Sequence, residues 1–202
     1  MKIALIGASG NAGSQILAEL SRRGHQITAI ARHPEKIAQL PGVSPVKGDV
    51  YDSENLPNLL RGHDVVASAV YFSASDPQLL INAVRSAGVA RYMVVGGAGS
   101  LEVAPGKRLM DQPDFPEAYK KEASGGAKFL QLLRETTDLE WTFLSPSAMF
   151  IHGERTGIFR LGEDQLLTNA NGSSISFEDY AIAFVDELEH PQHVRKRFTV
   201  GY

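Results

Sequence analysis

The sequence predicts an α/β fold, a doubly wound parallel sheet closed at its far end by a small irregular cap. Three observations predict it. Apolar runs alternate with stretches of helical period along most of the chain. The runs are apolar throughout instead of alternating, as expected of strands covered on both faces by helices. The first run enters a loop holding Gly7, Gly10 and Gly13, and a helix-like stretch follows at once.

The elements follow in order. Residues 3–6 are an apolar strand bounded by glycine. Residues 11–23 put Ala12, Ile16, Leu17 and Leu20 on one helix face, and Gly24 ends that helix. Residues 26–31, 43–47 and 64–70 read as the second, third and fourth strands. Residues 77–87 read as a helix stopped by Gly88, 92–95 as a strand, 118–136 as a long helix and 141–144 as a sixth strand. Residues 151–176 hold four glycines and little periodicity. Residues 176–189 read as a capped helix, with Ser176 as N-cap and Asp179 in the capping-box position. Residues 196–202 form a last strand. No repeat, low-complexity tract or linker interrupts the chain. Residues 1–202 are therefore expected to form a single domain with 146–176 as its cap.

Composition narrows the function. The net charge of −3 offers no global electrostatic case for nucleic acid, and Arg195–Arg197 reads as a solvated strand edge. The chain has no cysteine, so disulfides, thiolate nucleophiles and Cys-ligated metals are excluded. His190-x-x-His193 lies in a polar, proline-containing segment and reads as a surface pair, so no metal site is expected. No apolar stretch is long enough to span a bilayer, and the apolar run ending at Gly7 is too short for a signal-peptide core. A cytoplasmic location, without membrane or nucleic-acid partners, is the expectation.

Ligands of such sheets bind beyond the carboxyl ends of the strands. The loop after the first strand, Gly7-x-x-Gly10-x-x-Gly13, resembles a Rossmann-like dinucleotide fingerprint lengthened by one residue. Glycines there permit a tight turn, close approach of the backbone to a pyrophosphate, and close packing of helix on strand. The helix start offers free N–H groups and a partial positive charge. Ser9 and Asn11 can add side-chain donors or cap the helix, and Ala12 lies in its first turn. At the tip of the second strand stands Arg32, followed by His33. An acid there suits the free ribose hydroxyl of NAD, whereas an arginine suits the 2′-phosphate of NADP. NADP(H) is favoured over NAD(H), with Arg32 as an ordinary surface residue the alternative. Asp49 and Val50 follow the third strand; Asp49 suits either an adenine amine or a turn. Ala69, Val70 and Tyr71 lie at the fourth tip. Gly96, Gly97 and Gly99 can admit a nicotinamide ring, and Ser145, Pro146 and Ser147 lie where its carboxamide would rest.

Catalytic groups are sparse. A tyrosine followed four residues later by lysine would form the proton relay of ordinary alcohol–ketone chemistry. None of the six tyrosines has one; Tyr119 comes nearest, with Ala123 in the lysine's place. No Gly-x-Ser-x-Gly elbow supplies a hydrolase nucleophile. Ser100, His152 and Tyr119 remain as catalytic candidates. Arg155 reads as an anion clamp or a structural ion-pair residue. Tyr71, Phe72, Met149 and Phe150 read as an acceptor slot or as core.

With GASGNAG, Arg32, Gly48-Asp49, the glycines at 96–99 and Ser145-Pro146 assembled, the chain resembles the atypical short-chain dehydrogenases/reductases, in their NmrA-like NAD(P)-binding group. It is most similar to the bacterial NADH-flavin reductase-like proteins, through "LSPSAMF", "GERTG", "EDYAIAFVDELE" and "RFTV" as well. That resemblance implies an NAD(P)H-dependent oxidoreductase passing hydride to a flavin, quinone or similar planar acceptor. The flavin would be a substrate, not a tightly held group, and the protein a monomer or homodimer. The group also contains redox sensors that bind the dinucleotide without turnover, which is the alternative. An epimerase or dehydratase acting on a nucleotide-sugar is a weaker fit without the tyrosine–lysine pair. The chain also resembles, more distantly, the biliverdin-IXβ/flavin reductases, through Thr156-Gly157. Their catalytic serine and histidine fall on Gly97 and near Ala148, which argues against biliverdin chemistry.

Overall fold

A computed structural model describes residues 1–202. The chain runs β1 (Lys2–Ile6), α1 (Asn11–Arg22), β2 (Gln26–Ala31), β3 (Val43–Lys47), α2 (Leu56–Leu60), β4 (Val65–Ser68), α3 (Pro77–Ala87) and β5 (Arg91–Val95). A short hairpin, β6 (Glu102–Ala104) and β7 (Lys107–Arg108), precedes α4 (Glu117–Glu135) and β8 (Glu140–Pro146). Then come β9 (Met149–Ile151), β10 (Arg160–Gly162), β11 (Ser174–Ser176), α5 (Phe177–Glu189) and β12 (Lys196–Gly201).

Eight strands form one sheet in the order β10-β12-β8-β5-β4-β1-β2-β3, and only β10 runs antiparallel to its neighbour. The doubly wound parallel sheet expected from the sequence is thus the observed fold. Successive residues of each strand serve opposite faces, because side chains alternate across a strand. Ile3 and Leu5 join Ile16, Leu17, Leu20, Tyr180 and Phe184 under α1 and α5. Ala4 and Ile6 join Leu80, Val84, Phe129 and Leu133 under α3 and α4. The continuous apolar runs follow from this double coverage.

Local chemistry sets the helix ends. Asp76 caps α3 by accepting the N–H groups of Gln78 and Leu79 at 2.8 and 3.2 Å, Pro77 opens the helix, and Gly88 closes it at φ 72°. Ser176 caps α5 by accepting the Asp179 N–H at 3.0 Å. The rest of the expected capping box is absent, because the Asp179 carboxylate faces a different set of donors. The expected cap at 146–176 also needs correction. Pro146 is the buried end of β8, and Arg160–Gly162 pairs with β12 at the sheet edge. The remaining segment is ordered by the two-stranded β9–β11 sheet.

The order of the strands reverses at β1, which lies between β2 and β4. A crevice opens at the carboxyl edge at such a switch point, and residues 7–13 lie there.

Candidate functional site

The glycine loop is built by close contacts. Gly7 takes φ +83°, and a Cβ on it would stand 2.4 Å from the Ala69 carbonyl oxygen. A Cβ on Gly13 would stand 2.1 Å from the Gly7 carbonyl oxygen. Both positions therefore exclude any other residue without a shift of backbone. Gly10, not Asn11 or Ser9, is the N-cap of α1, and no side chain bonds the helix start. The N–H groups of Ser9, Asn11, Ala12 and Gly13 make no bond within the chain. No acidic side chain occupies the first turn. Unspent donors at a positive helix end beneath a bare backbone fit a dinucleotide pyrophosphate.

The neighbouring strand tips carry the adenosine-side candidates. Arg32 is exposed and makes no ion pair or hydrogen bond, so its guanidinium is uncommitted. His33 is bonded to Glu35, Nδ1 to Oε1 at 3.1 Å. Asp49 accepts the Tyr51 N–H at 3.0 Å, which is the turn geometry; its second carboxylate oxygen has no partner within the chain. Val50 and Val70 pack partly against the core under α3 and α4. Ala69 closes the floor of the glycine loop, its N–H donating to the Ile6 carbonyl at 2.8 Å. Tyr71 is 67% exposed.

On the far side of the switch the loop glycines are explained by the chain itself. A Cβ on Gly96 would meet the Phe143 ring at 2.4 Å, and one on Gly99 would meet the Ala123 Cβ at 2.5 Å. Gly97 is freer, with the Phe72 ring 3.3 Å from its added Cβ. Ser145 is fully buried and its hydroxyl has no partner. Ser147 is also buried, and its hydroxyl donates to the Val200 carbonyl at 3.1 Å, bracing β12. Phe72 also belongs to the core, stacked on Phe143 with ring centroids 6.1 Å apart. Phe150 packs on Phe177 and Tyr180 at 4.3 and 4.6 Å between centroids.

The three catalytic candidates are not brought together as an acid–base set. Tyr119 is 64% exposed and its hydroxyl has no partner. The lysine its relay would need is replaced by Ala123, whose Cβ lies beside Gly99. Ser100 accepts a hydrogen bond from Arg197 at 3.1 Å, and Arg197 is held by Asp164, which binds the 102–108 hairpin through its carbonyl. His152 rests edge-on against Phe177 and contacts Glu178 at 3.3 Å. Arg155 is not an anion clamp. It makes a double ion pair to Glu19 at 2.9 and 3.0 Å, and Glu19 is only 3% exposed.

Sequence reasoning overlooked the carboxylates that hold the site's walls. Glu122 accepts the N–H groups of Phe72 and Ser73 at 2.7 and 2.9 Å, fixing the turn after β4. Glu19 and Asp179 fasten the segment after β9. The one local signal for either was the Ser-x-x-Asp spacing at 176–179. Met149 and Ile151 project from β9 with 57% and 50% exposure, leaving an apolar rim. Two polar hollows of about 370 and 450 Å3 lie at the opposite, amino-terminal edge, around Lys2, Gln26 and His63. They are remote from the switch point. His63 is already engaged by the Leu60 carbonyl and Thr28 hydroxyl at 2.9 and 2.8 Å.

The fold and the cradle define a class, a dinucleotide-binding α/β protein. The NAD(P)H-binding family matches residues 7–191, and the chain belongs to that family. It is 44% identical to the uncharacterized protein YwnB of Bacillus subtilis over 99% of this chain and 98% of that one. Among solved structures, a provisionally named epimerase of Bacteroides thetaiotaomicron is 42% identical, with TM-score 0.93 and coverage of 100% and 96%. A provisionally named NADH-flavin reductase of Streptococcus pneumoniae is 40% identical, with TM-score 0.85 and coverage of 100% and 99%. These comparisons place the chain among NAD(P)H-binding proteins, with an NADH-flavin reductase-like structure among its neighbours. Their reaction names differ, so the reaction must be argued from the site. No helix is long and apolar enough to cross a membrane.

Proposed function

We propose that the protein is an NADPH-favouring reductase that passes hydride to a planar acceptor, a flavin or quinone, bound as a substrate. One contrast along the carboxyl edge supports this reading. On one side lie unspent N–H groups and an uncommitted Arg32; on the other, an apolar rim of Met149 and Ile151 without a positioned acid. When bound, the dinucleotide supplies the hydride. The chain's own part is to hold and to orient. Ser9, Asn11, Ala12 and Gly13 hold the pyrophosphate through backbone N–H groups, and Arg32 holds the 2′-phosphate. The Ser145 hydroxyl serves the nicotinamide end. The rim excludes water and keeps the acceptor ring flat against that end. Hydride transfer between stacked rings needs orientation more than a strong acid, and water can return the proton. The chain is taken to act in the cytoplasm as one domain, monomeric or dimeric.

The test is oxidation of NADPH and NADH by purified protein, with and without FMN, riboflavin and a small quinone, followed by loss of the reduced-nicotinamide absorbance. Acceptor-dependent turnover that prefers NADPH supports the reading. Tight NADPH binding with no turnover on any of these acceptors refutes it and favours a dinucleotide-binding sensor.

A further inference from the structure

Residues 152–157 have no regular secondary structure and are exposed, yet each is fastened. His152 and Gly153 contact Glu178 at 3.3 and 3.0 Å, and the Glu154 carbonyl accepts the Ser176 hydroxyl at 2.9 Å. Arg155 is paired to Glu19. The Thr156 hydroxyl and the Gly157 N–H both donate to the Asp179 carboxylate, at 2.6 and 2.8 Å. The fully buried Asp179 also accepts the Tyr202 hydroxyl at 2.9 Å. Tyr202 in turn donates its N–H to the Ser174 carbonyl at 3.0 Å, and its hydroxyl lies 2.9 Å from that of Ser176.

These bonds close a circuit. The strap continues directly from β9, Asp179 holds the strap, Tyr202 links Asp179 to β11, and β11 pairs with β9. Met149 and Ile151 ride on β9. We infer that Asp179 is a positioning residue that sets the height of the acceptor rim by fastening the strap and Tyr202 around one buried carboxylate. The inference rests on the reductase reading for the identity of the rim's ligand. Asparagine at 179 keeps the shape but removes the charge and puts an NH2 in place of one accepting oxygen, facing either the Gly157 N–H or the Thr156 and Tyr202 hydroxyls, so the strap is loosened.

The experiment compares Asp179→Asn, Thr156→Val and Tyr202→Phe with the unaltered protein. FMN affinity is read from quenching of its fluorescence in the presence of NADP+, acceptor kinetics from NADPH oxidation, and strap release from tryptic cleavage after Arg155. For Asp179→Asn, FMN affinity and acceptor KM are expected to weaken about tenfold, with kcat and NADPH affinity within about twofold. Cleavage after Arg155 accelerates by about tenfold or more. The two milder variants shift in the same direction, and they carry the test if Asp179→Asn does not fold. Faster cleavage or a lower melting point with FMN affinity unchanged overturns the positioning role, as does an unaltered protein that binds no FMN. FMN binding without turnover refutes the reductase reading alone; the binding and cleavage readouts still decide the inference.

Discussion

Gly13→Ala tests whether the glycine loop is a rigid cradle. The added Cβ would lie 2.1 Å from the Gly7 carbonyl oxygen and 3.3 Å from the Ala8 Cα. A relaxed carbon–oxygen contact needs about 3.3 Å, so loop and helix must part by about 1 Å. The helix cannot yield easily, because Ile16, Leu17 and Leu20 are buried on the sheet. The loop is tied as well, because the Gly7 N–H donates to the Ile30 carbonyl at 2.9 Å and the Gly7 carbonyl accepts the Gly10 N–H at 3.0 Å. Overpacking of this kind costs about 1–3 kcal/mol. Alanine returns about 1 kcal/mol of helix propensity. The net loss is up to about 2 kcal/mol, or a melting point lower by up to about 8 °C for a chain of this size. A shift of that size also misaligns the N–H donors. Loss of one charge-assisted bond, about 1.5–3 kcal/mol, weakens dinucleotide binding by about 10- to 150-fold. Differential scanning calorimetry and titration calorimetry with NADPH read the two effects. A variant with unchanged melting and unchanged NADPH affinity would refute both the clash and the cradle.

Further expectations concern charge and burial. Arg32→Ala should weaken NADPH binding by about 10- to 100-fold and leave NADH nearly unchanged, with a shallower salt dependence; equal losses for both cofactors would remove Arg32 from the 2′-phosphate. Burial works against a charged Glu19, but hydrogen bonds from Arg155 and Arg23 outweigh it and hold its carboxyl below the usual range. A folded carboxyl held low contributes stability above its unfolded pKa of about 4.5 that is lost as pH falls through the folded value. Acid unfolding should therefore begin below about pH 4.5, and Glu19→Gln should lower stability at neutral pH by about 1–3 kcal/mol and flatten the acid limb, as read by urea titration across pH. A limb as steep as in the unaltered protein would contradict this. Ser145→Ala removes a buried hydroxyl without a partner, so the unliganded protein should melt at an equal or higher temperature, by up to about 1 kcal/mol, while NADPH affinity falls. Loss of melting temperature without loss of affinity would give the hydroxyl a structural partner instead.

Much of the fold was legible because its signals are local. The boundaries of β2, β3 and α3 coincide with the expected 26–31, 43–47 and 77–87. Apolar runs, helical period and a stop at Gly88 each depend on residues a few positions apart. Elements that escaped notice are short and depend on distant pairing. Three-residue β10 exists because Arg160–Gly162 meets Thr199–Gly201 in the main sheet, and β11 because it meets β9. Five-residue α2 is too short to show a period. Within the site, the glycine loop was legible because a phosphate cradle is one continuous piece of backbone. The Val200 partner of Ser147 and the Glu19 partner of Arg155 were not, because neither spacing nor residue type says which way a side chain turns.

The sequence by itself determined a doubly wound sheet, a glycine loop at its first turn, an arginine at the next strand tip, and the lack of a tyrosine–lysine pair. Each is written in neighbouring residues. Only the tertiary structure decided that Arg155 belongs to Glu19, Ser147 to β12, and Thr156, Gly157 and Tyr202 to one buried carboxylate. Those choices depend on groups brought together across more than twenty to more than one hundred intervening residues. Burial then makes each pairing obligatory, because a polar group removed from water must find its partner wherever the fold places one.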